Sequence, residues 1–505
     1  MIYFVLVDRF ANGDPTNDHS IDLADPSAFH GGDIRGVIDH LDDIQRLGAD
    51  TVWLSPVTTM RTTPFFQWGA FHGYWVEDLQ TIAPRFGTEA ELVELSGALH
   101  KRHMRLLLDM VYNHVAPDGV LTTTQPDWFH DPAPIVDWAD PKERVTGQVH
   151  GLPDLAQERE PVYEYLLQSS MHWISTVHPD GFRVDAVRHM PTGFLARLGS
   201  DIKAVAGSRF QMLGEVFDGD SRVLAHTQWS AQLDAVFDFP LHYAMVDTFC
   251  DDGPPGALGA VFAQDGRFAD PNGLVTFLDN HDLPRILAAC HGDPDRVARA
   301  LTLQYAARGK PAVTYGTEAG LFGMAEPANR ADMVFKWNDT GHHIRTLAAA
   351  RRRHSALTTG VTRDIALDDT LYAFARVSAD ESLLVVVNSG DGPRKIHGHT
   401  VKPHAVEVFP TRRPPPARPS LARVSAHGAP LSPGDELRLV GAGDTLGNWN
   451  PAFGVPLPTD ISFAHQVQAF KLVIRHTDGT MTWEDRPNRY WLPGTRVLPL
   501  RWDDK

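Results

Sequence analysis

The first two-thirds of the chain alternates short apolar runs with longer amphipathic segments. The short runs read as buried strands, whereas the longer segments repeat their apolar positions with the period of a helix. In Arg35–Leu47, for example, Ile38, Leu41, Ile44 and Leu47 share one helical face. The predicted strands are Tyr3–Val7, Thr51–Leu54, Arg105–Asp109, Gly181–Asp185, Gln211–Glu215, Ala235–Phe239, Leu274–Leu278 and Ala312–Tyr315.

Eight strand–helix units in succession predict an α/β fold. They favour a closed (β/α)₈ TIM barrel rather than an open doubly wound sheet. We assign residues 1–114 and 153–350 to this barrel. Residues 115–152 follow the third strand, are rich in Pro, Asp, Thr and Trp, and are predicted to form an inserted domain B. Active sites of such barrels lie at the carboxyl ends of the strands, the face that this insertion would cover.

The pattern changes to short strands after residue 350. Residues 351–410 are predicted to form a β-sandwich, domain C, and residues 421–505 a second, C-terminal β-sandwich. Residues 411–420 are rich in proline and are predicted to be a stiff linker. The sequence therefore predicts a barrel with an inserted domain, followed by two sandwich domains.

The composition of the chain restricts the classes of partner that it can bind. The 505 residues carry a net charge of −17, which repels nucleic acid and anionic lipid and suits a neutral substrate. No apolar run approaches membrane-spanning length. The two cysteines are too few for a disulfide scaffold or a four-thiolate metal site. We therefore expect a monomer that binds neither nucleic acid nor membranes.

The beginning of the chain bears on its location. Met1–Val7 reads as a strand and lacks the basic start, long apolar run and cleavage site of a signal peptide. Because the sequence starts inside the first strand, we expect a secreted or periplasmic protein whose export signal is absent here. A cytoplasmic location is the alternative.

Four short segments place an acid, an amide or an imidazole just past a predicted strand. Because strand ends meet at one face of a barrel, Asp185, Glu215 and Asp282 are expected to share a pocket. Three carboxylates with an arginine and two histidines suit the cleavage of a glycosidic bond. The segments are Asp109–His114, Gly181–His189, Gly214–Phe217 and Phe277–Asp282.

Each carboxylate fits a separate role. Arg183 stands two positions before Asp185 on the same side of the strand and would keep it ionised, as a nucleophile requires. Glu215, in a partly apolar mouth, can have a raised pKa and donate a proton. Asp282 can hold sugar hydroxyls. Any one of these acids alone could simply cap a helix or pair with an arginine, so the prediction depends on the joint pattern.

The four segments together resemble the α-amylase family of glycoside hydrolases. The resemblance implies that Asp185 is the nucleophile, Glu215 the general acid/base and Asp282 the transition-state stabiliser of a retaining double displacement. Phe71–Trp75 is also similar to the family, which implies that Tyr74 stacks on the distorted sugar. The sugar-binding residues that the resemblance implies are His72, Tyr74, His114, Arg183, Arg188, His189, Phe217 and His281.

The same resemblance implies two calcium sites. Asn113, Asp154 and the backbone oxygen of His189 match a family site that joins the inserted domain to the barrel, and oxygen donors suit Ca²⁺. An N-terminal loop resembles a calcium loop of the cyclodextrin glucanotransferases; the alternative is an Asx-rich turn without an ion. The candidate ligands in this loop are Asn12, Asp14, Asn17, Asp18, Gly31 and Asp33.

The C-terminal region resembles a starch-binding domain. The matching sequence motifs are Leu446–Trp449 and the segment that begins Trp483-Glu484. The resemblance implies that Trp449 and Trp483 form an exposed platform for glucan. The alternative is that each tryptophan belongs to the core of a small sandwich.

The family resemblance leaves a choice between hydrolase and transferase. His189-Met190-Pro191 and the N-terminal loop favour the cyclodextrin glucanotransferases, but His150 and Val216 stand where cyclising enzymes carry larger aromatic residues. We therefore predict retaining hydrolysis of α-1,4-glucosidic bonds in starch and maltooligosaccharides, with transglycosylation as the alternative. A catalytically silent glucan-binding protein is less favoured, because all three carboxylates are present.

Overall fold

Eight parallel strands form a barrel in the computed structural model, which describes residues 1–414, 420–493 and 500–502. The strands are β1 (Ile2–Val5), β2 (Thr51–Leu54), β3 (Arg105–Met110), β4 (Gly181–Val184), β5 (Gln211–Gly214), β6 (Ala235–Val236), β7 (Val275–Thr276) and β8 (Lys310–Thr314). They pair in the order β6-β5-β4-β3-β2-β1-β8-β7. A parallel bridge between Phe237 and Val275 joins the two ends of this order. The predicted (β/α)₈ fold is confirmed, and several strands are shorter than the apolar runs that predicted them.

Helices connect successive strands. The longer ones are Ile34–Asp39, Leu41–Leu47, Glu89–Lys101, Glu160–Val177, Thr192–Ala206, Ser221–Ser230, Phe239–Cys250, Gly256–Phe262, Pro294–Ala306 and Asp339–Arg353. Glu89–Lys101 begins with a capping box, in which Thr88 and Glu91 satisfy each other's backbone amides. Across the part of the chain that the structure describes, no helix combines the length and apolarity needed to span a bilayer.

The segment Arg35–Leu47, predicted as one helix, is two. The first helix ends at Asp39 and the second begins at Leu41, because His40 leaves the helical conformation with φ −105° and ψ 12°. Gly48, at φ 109°, ends the second helix in the left-handed region that glycine adopts without strain. The apolar face continues across the break, which is why its period predicts a single element.

Two irregular segments lie between barrel strands. Residues 115–152, between β3 and β4, contain the short helices Val120–Thr124 and Pro141–Thr146. Between β2 and β3, the antiparallel strands Thr58–Met60 and Val76–Ile82 flank a long loop. Both segments contribute side chains to the cleft described below.

The chain divides into two compact units. The first comprises Met1–His242, Gly273–Leu301 and Gly309–Ala350, and the second comprises the remaining described residues. The second unit thus takes residues 243–272 and 302–308 from within the range predicted for the barrel. The finer domain boundaries remain predictions.

Two larger antiparallel sheets lie in the described part of the second unit, beside smaller two-stranded ones. One has four strands paired in chain order: Val361–Leu367, Leu371–Val377, Ser382–Asn388 and Ala405–Pro410. The other has five: Val455–Pro456, Glu436–Gly441, Gln468–Arg475, Met481–Trp483 and Arg489–Trp491. Leu439, Phe463 and Leu472 lie in the core of this second region. Residues 415–419 of the predicted linker, and residues 494–499 and 503–505 of the last domain, lie outside the described residues.

The two sheet regions share a packed seam. The buried carboxylate of Asp364 accepts a hydrogen bond from the Tyr372 hydroxyl (2.5 Å) and another from the Val467 amide (2.9 Å). Burial raises the pKa of Asp364 to about 6. Gly259 lies so close to this seam that a Cβ atom there would come within 2.6 Å of Val467 Cγ2. The seam therefore joins residues of the four-stranded sheet to the segment that leads into the five-stranded one.

Candidate active site

A cleft of about 760 Å³ is lined by Asp185, Glu215 and Asp282. Asp185 directly follows β4, Glu215 directly follows β5, and Asp282 lies in the loop after β7. The three carboxylates that the sequence singled out therefore meet at the carboxyl ends of the strands. A cleft of this size accommodates a small oligomeric ligand.

One arginine organises the floor of this cleft. Arg183, in β4, donates from Nη1 to Asp185 Oδ1 (2.6 Å) and to Asp109 Oδ1 (2.9 Å). Its Nη2 lies 2.6 Å from Glu215 Oε1. The residue is 1% exposed and does not line the cleft, although the resemblance implies a place in the sugar subsite. Arg183 acts on the cleft through the carboxylates that it holds.

Asp109 connects this arginine to the wall of the cleft. Its Oδ2 accepts hydrogen bonds from Trp53 Nε1 (3.0 Å) and from the Tyr74 hydroxyl (2.9 Å). Burial raises the pKa of Asp109, and Arg183 opposes the increase. In the sequence, Asp109 is only the first residue of the motif Asp109–His114, and the motif predicted no role for it. The signal was its position at the end of an apolar strand, where an acid must have a partner.

Glu215 has the surroundings of a proton donor. Burial, together with the nearby charges of Asp185 and Asp282, raises its pKa to about 8, although Arg183 opposes the increase. Its Oε2 accepts a hydrogen bond from the Ala186 amide at 3.2 Å. A glutamate that stays protonated at neutral pH can serve as a general acid.

Asp282 is shifted in the opposite direction. Burial disfavours its charged form, but the positive charges of Arg330 and Arg183 hold its pKa below the usual value. Arg330 Nη2 donates to Asp282 Oδ1 at 3.1 Å. Two acids of one cleft therefore have different protonation states, the condition for separate chemical roles.

Tyr74 is held by three histidines. Its ring stacks on His281, with 5.0 Å between centroids and 3° between planes. Its backbone oxygen lies 3.1 Å from His114 Nε2, and its amide donates to His72 Nδ1 at 3.0 Å. Burial lowers the pKa of all three histidines, so they are neutral at physiological pH and can bind hydroxyl groups.

Three further predicted sugar-binding residues line another part of the cleft. Arg188 Nη1 donates to the backbone oxygen of Phe217 (3.2 Å) and pairs with Asp218 (2.6 Å). His189 Nδ1 lies 3.0 Å from the backbone oxygen of Arg144, in the inserted segment. The Phe217 side chain is partly exposed to the cleft. The inserted segment thus contributes directly to the wall.

Several residues that line the cleft were not predicted from the sequence. Arg330 donates to the backbone oxygen of His281 (2.8 Å) and to Glu326 Oε1 (2.7 Å). Arg330 ends the short 3-10 helix Ala328–Arg330 and Glu326 lies in the loop just before it, after β8, where no periodic pattern signals an element. The aromatic residues Phe65, Phe66, Trp68 and Trp138 also line the cleft.

The first predicted calcium site has oxygens that lack hydrogen-bond partners. Asn113 Oδ1 and Asp154 Oδ1 are both buried without a donor. The other oxygen of Asp154 lies 2.6 Å from His130 Nδ1. Such oxygens fit a hard cation. Across the described residues, no three His, Cys, Asp or Glu side chains form a metal cluster, so a site here needs amide and backbone oxygens.

Hydrogen bonds connect most of the residues of the second predicted calcium site. Asp33 accepts from the amides of Gly13 (3.1 Å), Asp14 (2.8 Å) and Gly36 (2.7 Å), and caps the helix Ile34–Asp39. Both oxygens of Asp18 accept from the side-chain amide of Asn12, at 3.0 and 2.9 Å. Gly31 lies against Asp18, and Asn17 donates to Asp33. N–H donors contact Asp33 and Asp18, whereas Asn17 Oδ1 is buried without a partner, so the calcium site and its alternative, an Asx-rich turn, both stay predictions.

The two predicted starch-binding tryptophans lie in the second unit. Trp449 ends the turn Asp444–Trp449 with φ +64° and is half-buried. Trp483 ends a strand and is 38% exposed. Both rings are accessible in part, as a glucan platform requires, and the platform itself stays a prediction.

Comparisons with known proteins agree with this geometry. The family model described as "Alpha amylase, catalytic domain" matches residues 4–354. A cyclomaltodextrinase from Bacillus sp is 31% identical over 80% of this chain and 74% of its own length. A beta/alpha-amylase from Paenibacillus polymyxa is 32% identical over 79% of this chain, which spans only 34% of that relative. A solved Anoxybacillus alpha-amylase is 30% identical, with a TM-score of 0.73 over 98% of both chains. The chain therefore belongs to the alpha-amylase family of glycoside hydrolases.

Proposed function

We propose that the protein hydrolyses α-1,4-glucosidic bonds in starch and maltooligosaccharides. The observation that carries this proposal is the pair of carboxylates on one guanidinium, where Arg183 holds Asp185 at 2.6 Å and Glu215 at 2.6 Å. Burial keeps the Glu215 carboxyl protonated, which is the state that a general acid requires. Asp185 lies beside it on the shared guanidinium, where a carboxylate nucleophile is needed.

We infer that the reaction is a retaining double displacement. Asp185 attacks the anomeric carbon while the Glu215 carboxyl gives its proton to the leaving glycosidic oxygen. The Glu215 carboxylate then takes a proton from water, and the oxygen of that water displaces Asp185 from the sugar. Retaining enzymes place the two carboxyl groups about 5–5.5 Å apart, and a shared guanidinium supports such close spacing.

The other residues of the cleft have supporting roles. Asp282 is ionised and would accept hydrogen bonds from sugar hydroxyls, with His72, His114 and His281 as neutral partners. The ring of Tyr74 would stack on the sugar bound at Asp185. Phe217 and Arg188 would contact the leaving sugar. A transglycosylase that uses an acceptor sugar in place of water is the alternative function.

The test is hydrolysis of soluble starch by the wild type and by Glu215→Gln. Loss of the proton donor is expected to lower kcat by about 10²- to 10⁴-fold. Glu164→Gln is the matched control, because Glu164 is exposed on the helix Glu160–Val177. Proton NMR of the first product reports the stereochemistry: an α-anomer supports retention, and a β-anomer contradicts it. No sugar release by the wild type would leave a glucan-binding protein, and cyclodextrin products would favour the transferase.

Calcium is proposed at Asn113, Asp154 and the backbone oxygen of His189. The ion would neutralise the buried Asp154 carboxylate, whose pKa burial otherwise raises to about 7, and would tie the inserted segment to the barrel. Chelation is then expected to lower Tm, with recovery on addition of Ca²⁺. Asp154→Asn should abolish that response, whereas Asp18→Asn should retain it. An equal response in both variants would contradict this assignment.

Starch binding is proposed at Trp449 and Trp483. A second contact with granular starch raises the local concentration of substrate without changing the chemistry. The double variant Trp449→Ala, Trp483→Ala should lose adsorption to starch granules and keep its kcat on soluble maltoheptaose. Trp229→Ala, at an exposed tryptophan of the barrel unit, is the control. Unchanged adsorption in the double variant would place the contact elsewhere.

A secreted or periplasmic location is proposed, with the cytoplasm as the alternative. Cys250 and Cys290 are both disulfide-bonded, and disulfides persist mainly in oxidising compartments. Fractionation of the native host, read with an antibody to the protein, tests the location. Recovery in the cytoplasm with both thiols free would contradict it.

A further inference from the structure

One tight turn at the cleft carries an exposed aromatic ring in an unfavourable backbone conformation. The Phe66 hairpin, residues Phe65–Trp68, is closed by two backbone hydrogen bonds between Phe65 and Trp68, at 3.0 and 3.1 Å. Phe66 lies at its tip with φ +51° and is 74% exposed. A bulky residue in the left-handed region is strained, and exposure of a large apolar ring gives no stability in return.

The surrounding chain imposes this conformation. Arg61 donates from Nε to the backbone oxygen of Thr63 (2.8 Å) and from Nη2 to that of Pro64 (3.1 Å), and it also pairs with Asp118. The two residues before the hairpin are thereby fixed in place. Strain that the neighbouring structure maintains is characteristic of functional positions rather than of loops free to relax.

A continuous series of rings connects the hairpin to the proposed catalytic subsite. His72, which bonds to Tyr74, lies 4.7 Å from Trp75 between ring centroids. Trp75 lies 5.8 Å from Phe65, and Phe65 lies 4.3 Å from Phe66. The exposed end of this series therefore extends the cleft wall outward from the residue that would stack on the reacting sugar.

A glycine of the inserted segment, Gly151, lies opposite the two rings. A Cβ atom at Gly151 would lie 3.8 Å from Phe65 Cζ and 3.9 Å from Phe66 Cε2. Gly151 has φ +80°, which a residue with a side chain would adopt only with strain. The inserted segment thus passes close to the two rings, which both face the cleft.

We propose that the Phe66 hairpin is a sugar-stacking subsite, remote from the cleaved bond, that selects long α-glucan chains over short maltooligosaccharides. The apolar C–H face of a glucose unit fits an exposed aromatic ring. Binding energy from a remote part of a substrate can be used to accelerate the reaction, so short substrates that miss the subsite react more slowly. This inference rests on the proposed hydrolysis of α-1,4-glucans.

The deciding variant is Phe66→Gly in the full-length protein. Glycine adopts φ +51° without strain, so the turn is retained while the ring is lost. The expected result is a loss of roughly three- to tenfold in kcat/KM for maltoheptaose and of less than about twofold for maltotriose. Tm should stay the same or rise. Phe66→Trp should keep the preference for long chains, and Trp229→Ala is the exposed-aromatic control.

Two results would overturn the inference. One is an equal loss on both substrates, and the other is a lower Tm with an unchanged length preference; each would assign the ring a structural role. Titration of maltoheptaose and maltotriose into Glu215→Gln, with and without Phe66→Gly, measures the same selectivity without turnover. The wild type could cleave no glucan while Phe66→Gly still weakens the binding of maltoheptaose more than that of maltotriose. In that case only the proposed hydrolysis fails, and the subsite stands.

Discussion

The floor and the rim of the cleft are built by opposite means. On the floor, Arg183 and Asp109 are buried, and Arg183 contacts the carboxylates of Asp109, Asp185 and Glu215. On the rim, Phe66 and Trp138 expose 74% and 51% of their surface. The floor fixes charges at defined positions by hydrogen bonds, and the rim offers apolar surface with few directional contacts.

This difference separates two kinds of effect on activity. Charges that act on the reacting bond stabilise the transition state by the same amount for every substrate. Rings on the rim act only on substrates long enough to reach them. Floor variants should therefore lower kcat equally for short and long glucans, whereas rim variants should change the ratio between them.

Among the variants that compare floor with rim, the largest effect is expected from Arg183→Lys. One ammonium group cannot replace the fork that holds Asp109, Asp185 and Glu215 together. We expect kcat to fall by roughly 10²- to 10³-fold on maltotriose and maltoheptaose alike, since positioning and charge are both lost. Breaking a buried charge network should also cost about 3–5 kcal/mol in the free energy of unfolding, measured with urea.

Arg197→Lys is the matched control, because Arg197 pairs with Glu160 at the surface and should tolerate the exchange. A loss in Arg183→Lys that depended strongly on substrate length would contradict the separation between floor and rim.

An intermediate effect is expected on the pH profile. Glu215 must be protonated to act as an acid, so kcat/KM should fall above its pKa of about 8. Asp282→Asn removes a negative charge that raises this pKa, and the alkaline limb should move to lower pH. The limb is read from initial rates on maltoheptaose across the pH range. A limb that stays in place would show that another group controls it.

The same pKa shift has a consequence for stability. Glu215 has a usual pKa of 4.5, and in the folded protein it is raised to about 8. The folded state therefore holds the proton more tightly, and this contribution to stability is complete below pH 4.5 and is lost as pH rises towards 8. Glu215→Gln should flatten that part of the stability profile, measured by denaturant unfolding at several pH values.

The smallest effect is expected from Trp138→Ala on the rim. The Trp138 ring lies 5.8 Å from that of His189, centroid to centroid. Its loss should raise KM for maltoheptaose by about two- to threefold and leave kcat on maltotriose unchanged. Equal changes in both substrates would indicate that the ring supports the inserted segment and does not bind sugar.

The sequence predicted the floor well, for a physical reason. A buried strand shows as an apolar run, and the residue that follows it must face the carboxyl end of the barrel. Asp185 and Glu215 were located in this way, and their meeting in the structure needed only closure of the barrel. The partners of Asp109 could not be predicted, because they depend on how Trp53 and Tyr74 orient after folding.

The rim was predicted poorly because it has no period. Arg330 ends a short 3-10 helix and Glu326 lies in the loop before it, so the place of Arg330 beside Asp282 depends on tertiary packing. The N-terminal loop shows a related limit: its Asx residues are equally compatible with binding an ion and with capping the helix at Ile34. Only the positions of the N–H donors distinguish these two arrangements.

The seam at Asp364 limits how the C-terminal region can be exchanged. Because one buried carboxylate serves both the Tyr372 hydroxyl and the Val467 amide, cutting the chain near residue 414 would remove half of its hydrogen bonds and expose apolar neighbours. A chimera that grafts the C-terminal region onto another enzyme should therefore carry residues 361–377 with it. The proline-rich stretch looks like a convenient place to join two proteins. However, the hydrogen bonds of Asp364 connect residues on both sides of it.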